Sequence, residues 1–170
     1  MKRLLVVVDM QKDFIDGSLG TREALSIVPR VKEKIEEYMA AADDVVFTLD
    51  THEKNYLDTQ EGKKLPVLHC IRGSEGWELH SSLKDYEGKR FEKRTFGSDE
   101  LSAYIKGRNY ESIELVGLCT DICVISNALL LKAFSPETPI RVDSSCCAGV
   151  TPQSHENALN AMKVCHIEVV

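Results

Sequence analysis

The sequence lacks an apolar run of membrane-spanning length, lacks any excess of basic residues, and is poor in aromatics. A membrane-spanning helix needs about 20 consecutive apolar residues, so none is expected. A formal net charge of −6 speaks against a nucleic-acid surface, which requires clustered Lys and Arg. No export signal is read either. Met1-Lys2-Arg3 could pass for a basic start, but the apolar stretch that follows is broken by Asp9 and leads to no small-residue cleavage site. The expectation is a cytoplasmic protein. The short C-x-x-C knuckles of structural zinc sites are also missing. What remains is an ordinary globular composition, 43% apolar and 6% aromatic over 170 residues. That length suits one domain, residues 1–170, and hardly two.

Cysteine is the exception, with six in the chain. An even count could suggest three disulfides, but dense pairing belongs to short secreted chains, so reduced thiols are expected. Taken singly, each cysteine reads most simply as a small core residue.

Short β-branched runs alternate with helical patterns, with no repeat or low-complexity tract. Leu4–Val8 is a continuous apolar run, as in a strand buried on both faces. Pro29 is expected to open a helix to about Ala42, with Val31, Ile35, Tyr38 and Met39 on one face. Residues 45–49 form the second strand. Residues 51–89, polar and containing Pro66, Gly73 and Gly76, read as a functional loop with short turns. Residues 90–93 form a brief third strand, and Ser98 caps a helix through Ile105. Residues 113–116 form the fourth strand, followed by a tight connection into an apolar helix from about Cys123 to Ala133. Residues 140–142 are the fifth strand, Thr151-Pro152 starts the last helix, and residues 167–170 are the sixth strand. The alternation predicts an α/β fold, three layers α/β/α around a mostly parallel six-stranded sheet.

Ligands of an open parallel sheet gather beyond the carboxyl ends of its strands. The residues following each strand are therefore the ones to inspect. Strand one ends in Asp9, strand two in Asp50 with His52 two residues on, and strand three in Lys93. Strand four leads through Gly117-Leu118-Cys119-Thr120-Asp121 to Cys123. Alone, Asp9 would be a loop-capping carboxylate and Lys93 a solvated charge. Delivered by separate strands to one edge, they suggest a site. At a helix start, unpaired N–H groups and the dipole lower a thiol pKa, and a neighbouring Lys93 would push the same way. Asp9 could take and return a proton.

These residues carry a resemblance. Residues 6–14, Val-Val-Val-Asp-Met-Gln-Lys-Asp-Phe, look like the opening motif of the isochorismatase-like cysteine hydrolases. Residues 91–96 resemble their lysine motif, residues 117–124 their nucleophile loop, and Thr151-Pro152 with His155 their closing helix. The motifs stand in family order and span nearly the whole chain. The resemblance implies the family's hydrolase fold and a catalytic set of Asp9, Lys93 and Cys123. It also implies a cis peptide between Leu118 and Cys119, with the backbone N–H groups of Cys119 and Cys123 as an oxyanion hole.

Asp50-Thr51-His52 has the spacing that points two side chains the same way from an extended segment, and His69 lies on the following loop. Two imidazoles and a carboxylate suit zinc first, then iron or manganese. Within the family this pattern resembles the metal site of the nicotinamidase branch, with Glu61 as a fourth ligand and Asp58 competing for that place. The implied activity is conversion of nicotinamide to nicotinate and ammonia through a thioester, with the metal holding the pyridine nitrogen. Phe14, Phe96 and Leu118 are expected to line the substrate pocket, with Trp77 a poorer choice. The sequence departs from that branch where Lys64-Leu65-Pro66-Val67 replaces the aromatic often found before the last metal histidine. The chain is also somewhat short for the family.

Two rival readings stand beside this one. The first keeps the enzyme and changes the substrate to another small amide or carbamoyl compound. The second is a non-catalytic zinc or ligand-binding domain using Cys119, Cys123, Cys146 and Cys147, which would leave Asp9 and Lys93 unexplained. Cys70, Cys146, Cys147 and Cys165 are read as packing residues and His155 as a structural hydrogen-bonder; His80 and His166 receive no role. The partner expected is a small-molecule amide, with neither nucleic acid nor membrane, and the sequence is compatible with a homo-oligomer.

Overall fold

The computed structural model describes residues 1–170. In chain order it comprises β1 (Leu4–Val8), α1 (Lys12–Ile15), α2 (Arg22–Ala40), β2 (Asp44–Asp50), α3 (Gln60–Lys64), β3 (Lys89–Lys93), α4 (Asp99–Ile105), β4 (Ile113–Leu118), α5 (Ile125–Phe134), β5 (Ile140–Ala148), α6 (Pro152–Val164) and β6 (Glu168–Val169). The six strands form one sheet in the order β3-β2-β1-β4-β5-β6, and every pairing is parallel. The α/β expectation is met, with a sheet that is parallel throughout.

Period-two alternation explains why β1 is apolar at every position. Leu4, Val6 and Val8 face a core built with Leu101 and Ile105 of α4, Leu131 of α5 and Met162 of α6. Leu5 and Val7 face the opposite core, built with Ile15 of α1 and Ile27, Val31 and Ile35 of α2. Both faces are covered, as an all-parallel sheet requires. The chain runs outward from β1 to β3, then returns to the other side of β1 as β4. This reversal opens a crevice at the carboxyl ends of β1 and β4, where open α/β sheets bind ligands. Gly117 (φ 117°) lies at that crossing, and a Cβ there would stand 2.2 Å from the Val8 carbonyl oxygen. Only glycine lets the strands meet so closely.

Three expectations about elements are corrected. Helix α2 starts at Arg22, not at Pro29, because Thr21 caps it by accepting from Ala24 N–H at 3.0 Å. Ala24, Ile27 and Val28 bury the extra turns, which offsets the roughly 3 kcal/mol cost of an interior proline. The apolar segment after β4 opens as a wide five-residue turn, Thr120–Val124, with α5 beginning only at Ile125. Strand β5 runs on to Ala148, six residues beyond the apolar run. Its polar Asp143-Ser144-Ser145 stretch forms an irregularity in register against β4, stabilised where Ser145 N–H and Oγ both donate to Asp143 Oδ1. A polar stretch of this kind reads as loop from sequence alone.

Candidate active site

Asp9, Lys93 and Cys123 come together at the carboxyl edge of the sheet, all buried. Asp9 sits immediately after β1 with φ 48°, a left-handed conformation that Asp tolerates better than most residues. Its backbone N–H bonds to Thr48 across the strand pair, and Thr48 Oγ1 donates to Asp9 Oδ1 at 2.6 Å. The Lys93 ammonium stands 2.6 Å from Asp9 Oδ2, 3.3 Å from Cys123 Sγ and 3.3 Å from Asp50 Oδ1, and donates to the Thr95 carbonyl at 3.1 Å. The 2.6 Å contact is an ion pair that covers Asp9 Oδ2, the oxygen that Thr48 leaves free.

The electrostatics correct one expectation. Burial drives the Cys123 thiol well above its ordinary pKa, and the Asp9 carboxylate adds to this, while Lys93 opposes it. The helix-start argument for a resting thiolate therefore fails. The thiol lies in a wide turn, deprived of water and beside an anion. Burial also raises Asp9, and Lys93 and Thr48 work against that rise. For Lys93, burial favours the neutral amine, but Asp9, Cys123 and Asp50 outweigh it and keep the ammonium. A proton can thus pass between Cys123 and Asp9 next to a fixed positive charge.

Asp50 joins this group to a second one. Its Oδ1 faces Lys93, and its Oδ2 lies 3.0 Å from His52 Nε2 and 3.5 Å from His69 Nε2. Glu61 Oε1 completes the cluster at 3.6 Å from His52 and 3.9 Å from His69, and the four donor atoms lie within 4.8 Å of one another. His69 Nδ1 is 2.7 Å from the Val67 carbonyl. A carbonyl only accepts, so Nδ1 carries a proton, and Nε2 is the ring atom turned toward the cluster. Burial works against ionising Asp50, but the two imidazoles hold its pKa below the usual range; burial and the nearby Asp50 charge raise that of Glu61. Two carboxylates and two imidazoles converging in a buried site fit a divalent transition metal. Asp58 is not among the four.

A cleft of about 270 Å³ opens over both groups. Phe14, Phe96 and Leu118 line it, as does Cys119, and so do Leu65 and Val150, which received no role from the sequence. No lysine or arginine faces it; Asp50 and Glu61 are its charged lining. Trp77 is not part of the cleft. Its ring N–H donates to Thr51 Oγ1 and its carbonyl accepts from Gln11. The Leu118–Cys119 peptide is cis. All six cysteines are free, and no group of them converges. Cys70, Cys146 and Cys147 are buried, whereas Cys165 is exposed at the end of α6, so the packing role fails for that residue. His155 bonds Thr120 Oγ1 at 2.7 Å.

Three supporting residues escaped sequence reasoning. Gln11 donates to the Asp50 carbonyl and accepts from Asp50 N–H, both at 2.8 Å, clamping β2 at its end. Tyr56 packs its ring at a tilt against His52 and edge-on against His69. Asn127 holds the turn that carries Cys123. Gln11 had a signal, an amide two residues beyond Asp9 inside a recurring motif. Tyr56 and Asn127 had none.

A family model for the isochorismatase domain matches residues 3–170. The nicotinamidase/pyrazinamidase of Mycobacterium tuberculosis is 28% identical to this chain, over 99% of the chain and 98% of that protein. Among solved structures, the pyrazinamidase of Pyrococcus horikoshii in complex with zinc superposes with a TM-score of 0.85 at 26% identity, over 100% and 99% of the two chains. The nicotinamidase/pyrazinamidase of Bacillus subtilis superposes at 0.87 with 27% identity, over the full length of both. The chain therefore belongs to the isochorismatase family.

Proposed function

We propose that this isochorismatase-family member is a cysteine amidohydrolase that converts nicotinamide to nicotinate and ammonia through a thioester on Cys123. One observation carries the reading. The Lys93 ammonium touches both Cys123 Sγ and Asp50 Oδ1, so the thiol and the four-donor cluster share the floor of one apolar cleft. That floor suits a flat, uncharged ring bearing a carboxamide. A carbamoyl compound carrying a carboxylate would be met by an arginine or lysine side chain in the lining, and neither lines the cleft.

Asp9 accepts the thiol proton as Sγ attacks the carboxamide carbon, and the adjacent Lys93 ammonium stabilises the sulfur as it becomes anionic. The backbone N–H groups of Cys119 and Cys123 serve the tetrahedral oxyanion; one such donor is typically worth on the order of 10²–10³ in rate. Collapse breaks the C–N bond, and ammonia leaves with the proton held on Asp9. A water then attacks the thioester, giving its proton to Asp9. The C–S bond breaks, the proton on Asp9 returns to Cys123, and the carboxylic acid departs, giving its remaining proton to solvent to become the carboxylate. Asp50, His52, Glu61 and His69 would hold the metal ion, zinc first among the candidates. When bound there, it supplies a Lewis-acidic anchor for the pyridine nitrogen, a positioning role. The reaction would serve recovery of nicotinamide for NAD.

Ammonia release from nicotinamide, measured with the metal content of the same sample, tests this. Turnover that tracks metal content is expected. Full turnover in a chelated, metal-free sample would remove the anchoring role, and no turnover in a metal-replete sample would remove nicotinamide as substrate.

A further inference from the structure

Asn127 lies on α5, four residues after Cys123, and is fully buried. Its carboxamide offers donors and an acceptor, and both kinds are used across one gap. Nδ2 donates to the Cys123 carbonyl at 2.8 Å and to the Phe96 carbonyl at 3.1 Å, and Oδ1 accepts from Ser98 N–H at 2.9 Å. One side chain thus ties the nucleophile turn to residues 96–98, which follow β3 and carry one wall of the cleft. The same segment is held twice more. Lys93 Nζ donates to the Thr95 carbonyl, and Gly97 passes so close to α5 that a Cβ there would stand 2.4 Å from Leu130 Cδ1.

A buried amide is costly unless its groups are paired, and here each is paired to backbone groups of two separate segments. An apolar side chain would fill the position but leave the Ser98 N–H and the Phe96 carbonyl without this partner, so asparagine serves to join the segments. Phe96 is 43% exposed, so the place of its ring in the cleft follows its backbone. An apolar wall orients a flat substrate without directional bonds, and a misplacement of about 1 Å can cost on the order of 10²-fold in rate. We propose that Asn127 is a positioning residue that sets the spacing between the Phe96 wall and the Cys123 thiol. The proposal rests on reading Cys123 as the attacking thiol.

Two alkylating agents test it on the whole protein, with Cys123 modification followed by peptide mass spectrometry. Iodoacetamide is small enough to reach the thiol without the wall, whereas the ring of N-benzyl chloroacetamide must lie in the cleft. In Asn127→Leu the rate with the benzyl reagent should fall about tenfold relative to iodoacetamide. In a Phe96→Ala background the same substitution should change that ratio less than about twofold, because the two act as one unit. In ammonia release the loss should fall on kcat, with KM within about twofold. Equal losses with both reagents, or the same loss in both backgrounds, would overturn the proposal, since a merely loosened turn gives that result. Asn127→Thr, which keeps one donor, runs the same cycle if the leucine variant does not fold. Wild-type protein in which neither reagent modifies Cys123 sinks the nucleophile reading along with this one. A modified Cys123 with an unchanged ratio sinks only the role of Asn127.

Discussion

Two lysines each lie between two carboxylates, Lys93 buried and Lys34 half-buried, and they differ in what stands beside them. Lys34 of α2 lies 3.0 Å from Glu114 Oε1 and 2.9 Å from Asp143 Oδ2. The remaining oxygens are also served: Tyr38 donates to Glu114 Oε2 at 2.5 Å, and Ser145 donates twice to Asp143 Oδ1. Every carboxylate oxygen there has a donor, so the group is saturated. Lys93 has the same stoichiometry with Asp9 and Asp50, yet a thiol stands 3.3 Å from its ammonium under an open cleft. Equal charge counts therefore give two kinds of site. A cluster closed on itself holds elements together, and one with a thiol beside it under a cleft is placed to move a proton.

Substitutions should separate the two clusters, and the largest effect belongs to the thiol. Cys123→Ala should lower ammonia release by a factor on the order of 10⁴ or more, and Asp9→Asn by about 10²–10⁴, with little change in thermal midpoint for the alanine variant. Wild-type turnover in Cys123→Ala would break the comparison at its centre. Next come the donors beside Asp50. His52→Ala and Glu61→Gln should each weaken zinc binding by at least about 10–100-fold, the scale seen even for outer partners of a metal site, while Asp58→Asn leaves it unchanged. Zinc content after dialysis against a competing chelator measures this.

The saturated cluster should answer in stability and not in turnover. Removing one partner of a buried pair costs about 3–5 kcal/mol. Lys34 keeps 19% of its side chain exposed, which places Lys34→Met nearer about 2 kcal/mol. Urea denaturation reads that loss, and kcat/KM for the amide should stay within about twofold. A change in turnover that matches the change in stability would mean the clusters are not separable.

The smallest effect is a pH dependence. Burial disfavours ionising Asp143, but Lys34 and Ser145 outweigh it and hold its folded pKa below the unfolded value. Its contribution is therefore complete above the unfolded pKa of about 3.9 and lost as pH falls through the folded value. Lys34 shifts upward, since Asp143 and Glu114 outweigh its burial. Its contribution is complete below about 10.4 and lost only as pH rises beyond that. Between these limits, at about pH 5 to 9, the cluster should give flat stability. Lys34→Met should reduce the acid loss measured from pH 5 down to pH 3, and an unaltered acid limb would place that loss elsewhere.

Much of this was legible in the sequence, for reasons particular residues make plain. Five of six strands could be placed within a few residues, most plainly β1, where both-face burial writes itself as an uninterrupted apolar run at residues 4–8. Ser98 announced α4 and Thr151-Pro152 announced α6 by local capping chemistry, and both caps are present. Proline misled at α2, because the burial of Ala24, Ile27 and Val28 is a tertiary gain that overrides a local break. The carboxyl ends of the strands yielded Asp9, Asp50, Lys93 and Cys123 because parallel topology brings those ends to one edge.

By itself, then, the sequence determined the α/β class, the edge at which polar groups gather, and Asp50, His52 and His69 as candidate donors, with Glu61 and Asp58 left as alternatives for a fourth. Period and spacing are local and survive without coordinates. Only the tertiary structure decided that Asp50 stands between Lys93 and the His52, Glu61 and His69 side chains, that Asn127 spans the Phe96 segment and the turn carrying Cys123, and that burial pushes the Cys123 thiol pKa up. Each of these depends on which distant strands lie side by side and on how completely they exclude water. A thiol pKa or a hydrogen bond across some 30 residues belongs to that packing and not to any stretch of chain.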